Sequence, residues 1–203
     1  MRLEDVIKNM GFCISEVELL PDFLLHKYNQ RCVFVDKFPL CVSAEFGTKF
    51  DELDVFYQET KKSRRKYKQY LYIEQKYTNF FLKLWLYSTV YVNTNFVIPH
   101  ASNVRFSDVI AKKRLISNLK LKNTHHEMLE INKSDSMKSL IKLSIRDIAN
   151  VIFYFKQYGI LAFPTFSCFL LYLHDESQLE ILEKIALSEG LFIRKPLESN
   201  HLK

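Results

Sequence analysis

The chain has 203 residues, of which 48% are apolar and 26% charged, and its formal net charge is +6. A chain of this length and apolar content can bury a core of its own, which excludes a disordered chain, a collagen-like fibre and a small disulfide-stapled scaffold. Only 4 residues are Gly, no two of them close in sequence, so neither a Walker loop nor a dinucleotide-binding turn can be assembled, since each needs two or three Gly in one short window.

In chain order, Leu3, Val6, Ile7 and Met10 recur at helical spacing and Gly11 can end that helix. A second short helix is expected after Pro21, over Asp22 to Tyr28. Cys32-Val33-Phe34-Val35 and Leu40-Cys41-Val42 read as two strands around the turn Asp36-Lys37-Phe38-Pro39. Leu53 to Gln58 and Tyr67 to Lys76 are dense in aromatic and β-branched residues and flank a basic run, which predicts a hairpin with a basic tip. A long helix over Arg64 to Tyr87 is the competing reading, because Lys, Gln, Glu and Leu tolerate helix. Under the hairpin reading, Phe80 to Val92 is a further strand.

Asn93 to Asn103 is read as a loop. Ser107 or Asp108 can cap a helix to about Leu119, with Val109, Ile110 and Leu115 inward and Lys112-Lys113-Arg114 outward. Residues 122–135 form a polar connector and the one candidate domain seam in what is otherwise read as a single compact domain, 1–203. Ser136 caps a helix expected to run through Ile145 and Ile152 to Tyr158 and to stop at Gly159. Ile160 to Leu173 reads as strand broken at Pro164, Asp175 to Gly190 as a helix, and Leu191 to Arg194 as a last strand. This C-terminal helix-strand-helix-strand unit implies an α/β or α+β fold, a mixed sheet with flanking helices whose last two strands pair in parallel.

The charge is unevenly placed. Residues 51–150 hold 18 basic and 10 acidic residues, whereas the two ends are slightly acidic. The surplus is concentrated in Lys61, Lys62, Arg64, Arg65, Lys66 and Lys68, and again around Lys112, Lys113 and Arg114. Such runs occur as solvated helix faces, and they also attract acidic proteins or phosphate backbones. The first run is interleaved with Tyr67, Tyr70 and Tyr72, whose rings suit either a protein contact or base stacking. The 29 aromatic residues (17 Phe, 11 Tyr, 1 Trp) exceed what a single core is expected to hold.

One catalytic constellation has to be weighed: a metal-dependent nuclease motif with an Asp on one strand and Glu-x-Lys on the next. Asp54, Glu74 and Lys76 fit it in outline, with Glu45 as an additional carboxylate. Residues two apart on a strand share a face, so Glu74 and Lys76 would point together at a Mg2+ ion. The triplet itself is uninformative, since acid-x-Lys is expected roughly twice by chance at this composition and occurs twice, the other being Glu59-Thr60-Lys61. His125-His126-Glu127 lacks a second His three or four residues away, and His100 and His174 sit alone at element ends. Cys13, Cys32, Cys41 and Cys168 contain no C-x-x-C pair and read as reduced thiols. The N-terminus lacks a signal-peptide core and the longest apolar stretch, Ile160 to Leu173, is too short to span a bilayer, so a soluble cytoplasmic protein is expected.

By elimination, the sequence favours a non-catalytic macromolecule-binding protein, of the adaptor, assembly or inhibitor and immunity type, that meets a protein partner without a cofactor. Nucleic-acid binding, with the nuclease as its catalytic form, is the alternative.

Overall fold

The computed structural model describes residues 2–11, 20–39, 56–57, 59–60, 63–95, 106–119, 127–165 and 168–196. The elements in chain order are α1 (Leu3–Asn9), α2 (Leu20–Lys27), β1 (Cys32–Asp36), α3 (Arg64–Trp85), β2 (Val90–Asn95), α4 (Phe106–Leu119) and β3 (Leu129–Glu130), then α5 (Ser134–Ile145), β4 (Asn150–Phe155), β5 (Ile160–Pro164), β6 (Phe169–Leu173), α6 (Leu179–Ser188) and β7 (Phe192–Arg194). The seven strands form one sheet in the order β3-β2-β4-β5-β6-β1-β7. Every pairing in it is antiparallel, so of the two expected classes the chain adopts α+β. The parallel pairing expected for the last two strands does not form, because β1 lies between β6 and β7 and pairs antiparallel with both.

Strand alternation divides the core in two. Val33 and Val35 of β1, Val151, Phe153 and Phe155 of β4, and Phe169, Leu171 and Leu173 of β6 face one side. There they meet Tyr77, Phe80, Phe81 and Leu84 of α3, Leu115 of α4, Met137, Leu140 and Ile141 of α5, and Leu182 and Ala186 of α6. The neighbouring residues Cys32, Ile152, Leu161, Phe163, Leu170 and Tyr172 face the other side, beneath Leu3, Val6 and Ile7 of α1 and Leu20 and Leu24 of α2. A sheet covered on both faces needs strands that are apolar throughout, and β6 is buried at all five positions. Two cores also account for the aromatic surplus. Phe81 alone lies 5.3, 5.4, 5.9 and 4.5 Å, centroid to centroid, from Phe80, Phe153, Phe155 and Phe169, and the only exposed aromatics among the described residues are Tyr72 and Tyr87.

Two expected elements are corrected. The hairpin with a basic tip is replaced by α3, a helix of 22 residues and so about 33 Å long. Its buried residues include Tyr70, Glu74, Tyr77, Phe81 and Leu84, a repeat of four and three that defines one helical stripe. Ser63 starts it, its hydroxyl accepting from the Lys66 N–H. Phe80 to Trp85 is therefore helix, and the strand begins only at Val90. The helix expected from Ser136 to Tyr158 ends at Ile145. Asp147 turns the chain left-handed with φ 53°, and the Ile148 and Ala149 N–H groups both bond back to the Leu143 carbonyl. Val151, Phe153 and Phe155 then alternate as a strand, and Gly159, at φ 60°, closes the turn into β5.

The other described elements form near their expected places, but two expected caps do not: α4 already includes Ser107 and Asp108, and α5 starts at Ser134 after Lys133, so Ser136 lies inside the helix. Strand 40–42 and most of loop 93–103 fall outside the described residues. Within 122–135 the described part holds β3 and an isolated bridge from Arg2 to Glu127. No helix among the described residues is long and apolar enough to cross a membrane.

Candidate functional site

The first expected contact segment lies at the N-terminal end of α3. Lys61 and Lys62 are outside the described residues; Arg64, Arg65, Lys66 and Lys68 are all exposed. The first turn of this helix carries no acidic residue. Four cations there oppose the helix macrodipole, whose positive pole lies at the N-terminus. Lys66 has an ion-pair partner, Glu59, at 2.5 Å, with both groups about half exposed, so the pair adds little.

The three tyrosines expected beside these cations do not act as a set, because a helix distributes residues around its axis where a strand would alternate them. Tyr70 is fully buried against the rings of Phe56 and Tyr57, Tyr67 is half-buried on the core, and only Tyr72 is exposed, at 66%. The Lys76 ammonium lies 5.0 Å from the Tyr72 ring centroid while donating to the Gly190 carbonyl at 3.1 Å. The second expected segment lies on α4, with Lys113 and Arg114 exposed and Leu115 turned inward as expected, whereas Lys112, expected outward with them, is half-buried.

Between these two helices lies a buried charge cluster whose members are far apart in the chain. Arg146 follows the last turn of α5. Its Nε and Nη2 donate to the two carboxylate oxygens of Glu74 at 2.7 and 2.8 Å, and its Nη1 donates to Asp108 Oδ1 at 2.5 Å. Both carboxylate side chains are 1% exposed and the arginine 10%. The Tyr57 hydroxyl donates to Asp108 Oδ2, and the Tyr57 ring lies 4.9 Å from the guanidinium carbon. Lys142 Nζ is 3.9 Å from Glu74 Oε1. Burial works to lower the Arg146 pKa, but the charge and hydrogen bonds of Glu74, helped by Tyr70 and Asp108, outweigh it and raise it above its ordinary value. Burial, reinforced by the charge of Glu74, likewise lifts the Tyr70 hydroxyl well above the usual tyrosine range.

This geometry bears on the nuclease expectation. On a helix, Glu74 and Lys76 point about 200° apart around the axis, and the Glu74 carboxylate is engaged by Arg146 on both oxygens. The shared face that a strand would have provided is absent. Asp54 and Glu45 lie outside the described residues, as do His100, His125 and His126. Among the described residues, no group of three or more His, Cys, Asp or Glu is placed to hold a metal ion. Cys32 and Cys168 are buried and unpaired with each other, and burial pushes the Cys32 thiol up to about 12.

A third feature ties α6 to α3. Lys83 reaches Glu189 at 2.5 Å and the Ser188 hydroxyl at 2.7 Å, Asn79 donates to Glu189 at 2.9 Å, and Lys76 caps the Gly190 carbonyl. Cations at the C-terminal end of a helix complement its dipole, so these lysines serve the fold.

Compared with known proteins, the chain matches no family model, no curated protein and no solved structure.

Proposed function

We propose that this is a non-catalytic binding protein that takes an acidic partner protein on the basic N-terminal end of α3 and the outward basic face of α4. The observation that carries the reading is the set Arg64, Arg65, Lys66 and Lys68, exposed in the first two turns of a helix that has no acid in its first turn. Cations there work against helix stability, so their placement favours a role outside the fold. The buried thiols Cys32 and Cys168 support a reducing, cytoplasmic setting.

The test is a charge reversal, Arg64→Glu/Arg65→Glu/Lys68→Glu, compared with wild type in partner capture from the native source at rising salt. Wild type is expected to retain a partner that elutes with salt, and the variant to lose it. The variant should be at least as stable as wild type, because each acid near a helix N-terminus adds about 0.3–1 kcal/mol at low ionic strength. An unchanged set of captured proteins would refute the reading.

Nucleic-acid binding is the second reading, and one observation favours it: Lys68 and Tyr72, both exposed, fall one turn apart along α3. Titration of labelled duplex and single-stranded DNA and RNA across salt decides between the two. Tight binding with a steep salt slope, weakened by Tyr72→Ala, replaces the protein partner with a nucleic acid.

A further inference from the structure

The two basic patches are on different helices, α3 and α4, and each patch lies close to a carboxylate held by the same guanidinium. Glu74 is six residues beyond Lys68, or about 9 Å along α3, and Lys112 is one turn, about 6 Å, beyond Asp108 along α4. Arg146 donates through three of its nitrogens, two to Glu74 and one to Asp108. A guanidinium is planar and its donors form a fixed fork, so satisfying both carboxylates at once fixes α3 and α4 in angle as well as in distance. Tyr57 closes the arrangement from below, its ring under the guanidinium and its hydroxyl on the second oxygen of Asp108. The same tyrosine anchors the chain that leads into the basic end of α3: its carbonyl accepts from the Thr60 hydroxyl at 2.6 Å, and the Thr60 carbonyl accepts from the N–H of Ser63, the N-cap.

Stability alone does not explain this cluster. Taking two carboxylates and a guanidinium out of water is costly, and well-packed apolar side chains of the same volume commonly serve a core as well or better. What apolar packing does not supply is a directional tie between two helices. We propose that Glu74, Arg146, Asp108 and Tyr57 form a positioning lock that holds the two basic patches at one separation, so that a single acidic partner engages both at once. The lock presupposes that these patches are the contact surface. Two-point engagement raises affinity through effective concentration, and only while the geometry lets both points bind together.

The experiment has two arms on the full chain, with a 20-residue polyglutamate peptide as the probe. In a Cys13→Ser/Cys41→Ser background, spin labels at Gln69→Cys on α3 and Ser117→Cys on α4 report the distance between the helices, while the buried Cys32 and Cys168 stay unlabelled. The unlocking variant is Asp108→Ala/Tyr57→Phe, which removes the tie from α4 to Arg146, leaving α4 held by its packing on α5, and keeps the Glu74 to Arg146 pair in place. Tyr57→Phe alone is the milder version if the double variant unfolds. The expected result is one narrow distance distribution in the locked protein and a broad one after unlocking, with polyglutamate affinity falling about tenfold towards that of Lys112→Ser/Lys113→Ser/Arg114→Ser. Asp108→Glu, which restores a carboxylate, is expected to recover part of both losses. An unchanged distribution, or unchanged affinity in a variant with α4 released, overturns the lock. If wild type binds no polyglutamate at low salt, the acidic-partner reading fails by itself. The distance arm still decides whether Asp108 and Tyr57 position α4.

Discussion

Glu74→Ala separates a structural carboxylate from a catalytic one. In the fold, the substitution strips both oxygens from a guanidinium that is only 10% exposed and leaves Asp108 as its one carboxylate partner among the described residues. Breaking a buried ion pair from one side costs about 3–5 kcal/mol, most of it the charge left without its partner. Lys142, at 3.9 Å and 38% exposed, adds little to that figure. Against a total stability of about 5–15 kcal/mol for an ordinary domain the loss is severe, and at about 2–4 °C per kcal/mol for a chain of this size it lowers Tm by about 6–20 °C. Glu74→Leu/Arg146→Met/Asp108→Asn should regain most of the loss, since it removes all three buried charges together. Urea unfolding followed by far-UV circular dichroism measures all three proteins, with an unchanged slope confirming that the midpoint reports stability. A Glu74→Ala midpoint within about 0.5 kcal/mol of wild type, no better in the triple variant, would refute the buried pair. If Mg2+ also stabilised wild type and not Glu74→Ala, Glu74 would be a metal ligand after all.

Three further outcomes follow from named contacts. Phe81→Ala should cost about 3–5 kcal/mol, because four rings surround it, while Tyr72→Ala, at an exposed position, should stay within about 0.5 kcal/mol in the same urea titration. Gly159→Ala should lower Tm more than Gly11→Ala: both have positive φ, but a Cβ at 159 meets the His174 Cβ at 3.0 Å and one at 11 meets nothing within 4 Å. On the alkaline side, the buried Cys32 thiol and the Tyr70 and Tyr77 hydroxyls are all raised in the fold. Their contribution is complete below the ordinary thiol value and is lost as pH climbs towards about 12, because the unfolded chain releases these protons first. Urea midpoints should therefore fall steadily above about pH 9, and a flat profile to pH 11 would contradict the burial.

The parts of the fold that were legible in the sequence are those whose local signals agree. Around α1, α2, α4 and α6 the apolar spacing, helped by stops such as Gly11 and Gly190, points to one element. Two places misled for the same reason: each fits two periods. In α3, the buried Glu74 breaks the apolar stripe formed by Tyr70, Tyr77, Phe81 and Leu84, and the intervening Tyr67 and Tyr72 resemble strand alternation. Past α5, Ile145, Ile148, Ile152 and Phe155 continue a helical stripe, yet Val151, Phe153 and Phe155 also alternate, and the second pattern prevails because it completes a sheet face against Phe81. Charged residues at core positions are what single-sequence periodicity cannot interpret. Glu74 reads as part of a strand motif and Asp108 as a helix cap, and Arg146 gives no local signal at all, since the relation of the three exists only across three helices.

This division of the charge also sharpens the binding reading. The internal cluster contains two acids, Glu74 and Asp108, and two bases, Arg146 and Lys142. It is neutral as a whole, so setting it aside removes none of the basic surplus of residues 51–150. That surplus must be carried by the remaining residues, and on α3 it lies where the helix dipole opposes it. On the proposed reading, the buried charges and the exposed cations at the unfavourable helix end have separate tasks. The buried charges of Glu74, Asp108 and Arg146 are bonded to one another, whereas Arg64, Arg65, Lys66 and Lys68 face outward, where salt and any counter-charged surface govern their strength.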